Sequence, residues 1–137
     1  MFKVTNGWQD VHHAVLIEGG TQIKESLLKE FESLGFSPVG NPDFSEIIVE
    51  SFGVDDARKL CEWASLKPIR EERKVSIIFA NNLTLESQNS LLKTLEEPPL
   101  NTHIVFVVEK ARALLPTLIS RVMYYESDQD TDLKEAI

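Results

Sequence analysis

The chain has 137 residues, one cysteine and a net charge of −8, and 42% of its residues are hydrophobic. This size and apolar content fit one compact domain. No stretch approaches the roughly 20 apolar residues of a membrane span, and no signal-peptide pattern opens the chain. We therefore expect a cytoplasmic protein without a membrane partner. The lone Cys61 excludes an internal disulfide, and His12, His13 and His103 lack the spacing of a metal centre.

The surplus of acidic residues argues against strong binding to nucleic acid, because phosphate contacts require clustered lysine and arginine. Part of the surplus lies in residues 126–137, an expected acidic tail with five acids and one lysine. The local basic cluster comprises Lys67, Arg70, Arg73 and Lys74. Two glutamates interrupt it and no aromatic residue is interleaved to stack bases. We interpret the cluster as a solvated loop, so that direct DNA contact is weak or absent and a protein partner is expected.

Five short apolar runs rich in β-branched residues predict five buried strands. They lie at residues 14–17, 47–49, 75–79, 104–108 and 122–125. The segments between them have the spacing of amphipathic helices, over about 23–34, 54–64 and 85–95, with a fourth helix expected before the last strand. Strands that alternate with helices in this way imply a doubly wound α/β domain over residues 1–125, with a mostly parallel five-stranded sheet covered by helices on both faces.

The turn after the first predicted strand is the position of a phosphate-binding loop. Residues 18–26 read EGGTQIKES and lead into a helix, so Gly19 and Gly20 stand where a P-loop begins. That loop requires G-x-x-x-x-G-K-S/T. With Ser26 on the final position, Lys24 replaces the last glycine and Glu25 replaces the lysine. A carboxylate at that place repels the β- and γ-phosphates, so this nucleotide pocket is degenerate.

The third predicted strand lacks the acids that an ATPase needs at its end. One such acid holds magnesium and the other orients the attacking water, yet no acid occurs between Arg73 and Glu86. We therefore predict a pseudo-ATPase without catalytic residues, bound cofactor or metal. One alternative remains open, a divergent ATPase in which Lys24 and Glu86 take over the missing roles.

Three sequence runs carry a family resemblance. They are QNSLLKTLEEPP at 88–99, THIVF at 102–106 and LLPTLISR at 114–121. They closely resemble the AAA+ ATPase domains of bacterial clamp loaders, the delta-prime and gamma/tau subunits of DNA polymerase III, and the resemblance covers roughly residues 8–125. This chain departs from the pattern in lacking the zinc-binding cysteines, in having Val122 after Ser-Arg, and in ending where a lid and a collar domain would be expected.

The resemblance implies a role in DNA replication as a delta-prime-type subunit, which is typically unable to hydrolyse ATP. It implies other clamp-loader subunits as partners in a hetero-oligomer. It also implies that Arg121, preceded by Ser120, is an arginine finger that acts on a neighbour's nucleotide. The alternative for Arg121 is a surface residue that opens the last strand, and the alternative for the chain is an interaction scaffold with no role at a sliding clamp.

Overall fold

The computed structural model describes residues 2–126 and contains one five-stranded sheet. The strands are β1 (Ala14–Glu18), β2 (Phe44–Phe52), β3 (Lys74–Leu83), β4 (Thr102–Val108) and β5 (Met123–Glu126). All neighbouring strands pair in parallel, in the order β2-β3-β4-β1-β5. The prediction of a five-stranded parallel sheet is confirmed. Glu126, which the sequence assigned to the acidic tail, ends β5, and the remainder of that tail lies outside the described residues.

Four helices connect the strands and cover both faces of the sheet. They are α1 (Lys24–Glu32), α2 (Val54–Ser65), α3 (Leu85–Glu96) and α4 (Pro116–Ile119). Alternate residues of each central strand point to opposite faces. Leu16 and Phe106 therefore join a core beneath α2, α3 and α4, whereas Ile17 and Val107 join a second core beneath α1 and the N-terminal segment.

The helix boundaries follow from capping groups. The Asp56 carboxylate accepts the Gly53 amide at 2.9 Å and closes the first turn of α2. The Thr84 hydroxyl accepts the Ser87 amide at 3.1 Å and starts α3. Helix α3 ends at Glu96, just before Pro98, as the sequence predicts. None of the helices within residues 2–126 is long and apolar enough to cross a bilayer.

A buried aspartate organises the loop that precedes β3. Asp43 is 1% exposed, and its carboxylate accepts the backbone amides of Ile69, Arg70 and Glu71 at 2.6–2.7 Å. Burial alone would raise the pKa of this carboxyl, but the three amide hydrogen bonds, with the charge of Lys74, lower it. The loop is therefore held to the protein through one ionised side chain.

We expect Asp43→Asn to lower the free energy of unfolding by about 1–3 kcal/mol at pH 7, because hydrogen bonds to a buried charge are lost. A carboxyl whose folded pKa is depressed contributes stability above its unfolded pKa of about 4, and that contribution disappears as the pH falls through the folded value. The difference between wild type and variant should therefore be constant above about pH 5 and shrink below about pH 4. Urea unfolding from pH 3 to pH 8 measures this.

The matched control is Asp55→Asn, which removes an exposed carboxylate from the first turn of α2. It should cost less than about 1 kcal/mol. A difference between wild type and Asp43→Asn that persists unchanged at pH 3 would contradict the role assigned to the Asp43 charge.

Candidate functional site

A cleft of about 320 Å³ opens at the carboxyl edge of the sheet. In parallel α/β folds this edge is the usual position of ligand sites. The lining comes from the turn after β1 and from the ends of β2, β3 and β4. It consists of Gly19, Gly20, Thr21, Gln22, Ile48, Val49, Glu50, Phe79, Ala80, Asn81, Val107 and Glu109. These residues include two acids and no lysine or arginine, so their formal charge disfavours a polyphosphate.

The turn after β1 has a different shape from a phosphate cradle. Residues Thr21–Ile23 form a 3-10 turn directly before α1. The Gly19 amide donates to the Val108 carbonyl at 2.7 Å, and the Ile23 amide donates to the Gly20 carbonyl at 3.2 Å. A P-loop presents amides such as these to phosphate oxygens, whereas here they bond to carbonyls of the same chain.

A side chain also covers this turn. A Cβ atom added at Gly20 would lie 2.5 Å from Oε1 of Gln22, so the Gln22 carboxamide sits against the Gly20 backbone. Glycine lets a backbone approach phosphate closely because it leaves this space empty. At Gly20 the space is filled from within the chain.

The sequence-predicted pocket residues beyond the turn do not reach the cleft. Lys24 forms an ion pair with Glu46 on β2, with Nζ 2.9 Å from Oε1. Glu25 and Ser26 are exposed in the first turn of α1, outside the cleft lining. Glu86, the acid considered for a divergent ATPase, is exposed in the first turn of α3 and is also outside the lining.

The end of β3 does reach the cleft. Phe79, Ala80 and Asn81 line it at the place where an ATPase carries its two acids. Glu50 and Glu109 also line it, but within residues 2–126 no group of three or more histidine, cysteine, aspartate or glutamate side chains is arranged to hold a metal. The residues present do not fit a magnesium–triphosphate complex.

The Arg121 side chain is half-buried and bonded within the chain. Its Nε donates to Glu96 Oε1 at 2.8 Å, and its Nη2 donates to the same oxygen. Its Nη1 donates to the Thr117 carbonyl at 2.5 Å and to the Ser120 hydroxyl at 3.3 Å. These contacts use four of the five N–H donors of a guanidinium. A bidentate contact with an external phosphate needs two donors, so at least one of these four hydrogen bonds must break.

Arg121 and the cleft lie at opposite edges of the sheet. Met123 pairs with Val15 near the start of β1, and Arg121 lies two residues earlier, at the amino edge. The cleft begins at Gly19, just beyond the carboxyl end of β1. The five residues of β1 separate the two sites by roughly 16 Å along the strand. The structure therefore does not bring Arg121 and Ser120 together with the degenerate pocket.

The solvated-loop interpretation of the basic cluster is wrong for Lys74 and holds only in part for Arg73. Lys74 is 2% exposed and donates to the Trp63 and Leu66 carbonyls at the end of α2. Arg73 lies over the Trp8 ring, with its guanidinium carbon 5.0 Å from the ring centroid. Only the other two members, at positions 67 and 70, are exposed. Lys74 therefore belongs to the interior, and Arg73 is partly buried against Trp8.

Similarity to known proteins identifies the family. The profile of the family described as "DNA polymerase III, delta subunit" matches residues 34–130. The chain belongs to this DNA polymerase III delta-subunit family. It is 31% identical over 133 residues to the delta' subunit of Haemophilus influenzae, covering 80% of this chain and 41% of that protein. It is 35% identical over 111 residues to the delta' subunit of Bacillus subtilis, covering 77% and 32%.

A solved structure is similar to this chain in fold as well as in sequence. A crystal structure of a gamma subunit-related protein from Thermotoga maritima matches with a TM-score of 0.73 and 30% identity, covering 90% of this chain and 44% of that one. The delta-subunit family member described here therefore has an AAA+-type α/β domain. It spans less than half the length of these relatives.

Sequence reasoning missed the partner of Arg121. Glu96 is 25 residues away, in the Glu-Glu-Pro-Pro run that ends α3, and no local spacing pattern links it to Arg121. The available signal was the resemblance itself, because both residues lie inside the runs that carry it.

We expect no binding of Mg-ATP tighter than a dissociation constant of about 10 μM, because the cleft offers two carboxylates, bonded amides and no cation to the phosphates. Isothermal titration calorimetry on the whole chain measures this. Lys24→Ala is the matched variant, and it should leave the titration unchanged because Lys24 is paired with Glu46. A wild-type titration showing tight binding that Lys24→Ala abolishes would restore the divergent-ATPase alternative.

Proposed function

We propose that this chain acts as a non-catalytic clamp-loader subunit in DNA replication, and that it supplies Arg121 to the nucleotide site of a partner ATPase. Membership of the delta-subunit family supports the replication role. The single observation that supports the action in trans is the position of Arg121, at the edge of the sheet opposite the chain's own cleft.

The side chains at the carboxyl and amino edges of the sheet also support action on a partner's nucleotide rather than on the chain's own. The cleft lining lacks a cation for phosphate and the pair of acids that an ATPase carries at the end of this strand, so within residues 2–126 the cleft does not provide the residues that hydrolysis requires. Arg121 keeps a planar donor group that stabilises charge on a transferred phosphoryl group. An arginine finger acts on the nucleotide of a neighbouring subunit and does not need a nucleotide site in its own chain. A chain without a working nucleotide site can therefore still supply one.

The partner expected on this basis is another clamp-loader subunit with an intact nucleotide site. Docking of the amino edge onto that site would exchange the Arg121–Glu96 contact for one with phosphate. The exchange is feasible because a partly exposed ion pair contributes only about 0–1 kcal/mol, whereas a phosphoryl group in a partner's closed site presents a larger charge in a less polar environment.

Arg121→Ala should lower the ATPase rate of a reconstituted complex with the source organism's gamma/tau subunit by roughly 10-fold or more, since an arginine finger contributes on that scale or above. The same change should lower the stability of this domain by no more than about 1 kcal/mol, because the pair with Glu96 is partly exposed. Phosphate release and urea unfolding measure the two effects.

The matched control is Arg58→Ala, which removes another arginine from an exposed ion pair, with Asp55. It should leave the partner's rate unchanged. Unchanged hydrolysis with Arg121→Ala, together with a stability loss well above 1 kcal/mol, would show that Arg121 is a structural residue and would favour the interaction scaffold.

A further inference from the structure

Helix α4, which ends two residues before Arg121, is too short to hold its own position. It has four residues, Pro116–Ile119. A single helical turn fixes several backbone dihedrals in return for very few hydrogen bonds, so it is unstable without contacts from outside. Leu118 packs the middle of α4 into the core that it shares with α2 and α3, and the direction of the Arg121 side chain depends further on what anchors the two ends.

A buried glutamine of α3 anchors the start of α4. Gln88 is 4% exposed, and its Oε1 accepts the Leu115 amide, immediately before Pro116, at 2.6 Å. Its Nε2 donates to the Leu83 carbonyl at the end of β3 at 3.0 Å. Both ends of the carboxamide are used, so Gln88 ties the start of α4 to α3 and to the sheet at once.

The same helix anchors the end of α4. Glu96, the last residue of α3, accepts Nε and Nη2 of Arg121. Eight residues of α3 separate Gln88 from Glu96, or about 12 Å, and six residues separate Leu115 from Arg121, or about 9 Å in a helical conformation. The start of α4 meets the earlier anchor and its end meets the later one, so the two helices run in the same direction with contacts at both ends.

We infer that α3 positions Arg121 by holding α4 at both ends, with Gln88 as a buried positioning residue at the start and Glu96 as a second one at the finger itself. Its effect on hydrolysis rests on the proposed role of Arg121, whereas the contacts that hold α4 do not depend on that role. Gln88 does not touch Arg121. It acts through the backbone of α4, and its removal would release the helix while leaving the guanidinium chemically intact.

The decisive measurement is the mobility of the Arg121 side chain, followed as the ¹⁵N heteronuclear NOE of its Nε–H group in the whole chain. Gln88→Met keeps the approximate volume and removes both hydrogen bonds. It should lower the NOE of Arg121 while the amides of the central strands keep theirs. Glu96→Ala should lower it too, whereas Glu96→Gln, which keeps an accepting oxygen, should retain most of it.

Ile77→Val is the matched control for a general loss of stability. Ile77 is buried in the core on the opposite face of the sheet from α3, and this change costs about 0.5–1.5 kcal/mol in a typical core. It should leave the Arg121 NOE unchanged. An Arg121 NOE that remains at the wild-type value in Gln88→Met, or that falls equally in Ile77→Val, would overturn the positioning role.

A second measurement tests the functional consequence in the reconstituted complex. Gln88→Met should lower the partner's maximal hydrolysis rate by roughly 10-fold or more, because misplacement of a catalytic group by about 1 Å has effects on that scale. The concentration of this chain that gives half-maximal stimulation should change little.

If Arg121→Ala has no effect on hydrolysis, the proposed function fails, and the NOE of Gln88→Met still decides whether α3 positions Arg121. Glu96→Ala should lower hydrolysis too, because Glu96 orients Arg121 before the guanidinium exchanges its contact for phosphate. A rise in hydrolysis with Glu96→Ala would mean that release from Glu96 matters more than this orientation, and would overturn its positioning role.

Discussion

The direction of the parallel strands is the constraint on which the rest of this molecule depends. Strand β1 lies between β4 and β5, buried on both faces, and every connection must return from the carboxyl edge to the amino edge through a helix. The turn after β1 therefore opens at one edge and the residues before β5 at the other. Separation of the cleft from Arg121 follows from this topology, whatever side chains fill the two places.

That separation gives the two edges different surroundings. At the carboxyl edge the Gly19 and Ile23 amides bond to backbone carbonyls, and Gln22 fills the space above Gly20. Within this turn Thr21 and Gln22 are exposed, whereas Ile23 is buried in the core beneath α1. At the amino edge Arg121 is tied to α3, whose buried face is part of the core that α2, α3 and α4 share. Its surroundings are therefore kept in place by the folding of the whole domain.

The sequence was sufficient to predict the strands that are buried on both faces. Strands β3, β4 and β1 are continuous apolar runs, and their predicted positions agree with the structure to within a few residues. Strand β2 is nine residues long but was predicted over three. It lies at the edge of the sheet, and polar residues such as Glu46 and Glu50 alternate with its apolar ones. An edge strand needs only partial burial, so the apolar run that marks it is shorter than the strand.

The features that the sequence did not reveal are charged residues whose partners lie elsewhere in the chain. Lys74 looks like part of a solvated loop, yet it caps α2 through the Trp63 and Leu66 carbonyls. Asp43 shows no motif at all, yet three amides from residues 69–71 converge on it. Such contacts depend on how loops fold back against the sheet, which hydrophobic periodicity does not encode.

Asp43 and the cleft also show two opposite uses of backbone amides. A ring of amides that faces outward is an anion site for a ligand. In this chain a ring of that kind exists before β3, but the carboxylate of Asp43 fills it from inside. The turn after β1 is in the position where a ligand would be bound, but its Gly19 and Ile23 amides are bonded to carbonyls. The anion-binding capacity of these amides is thus used within the domain, where it stabilises the loop before β3 and the turn after β1.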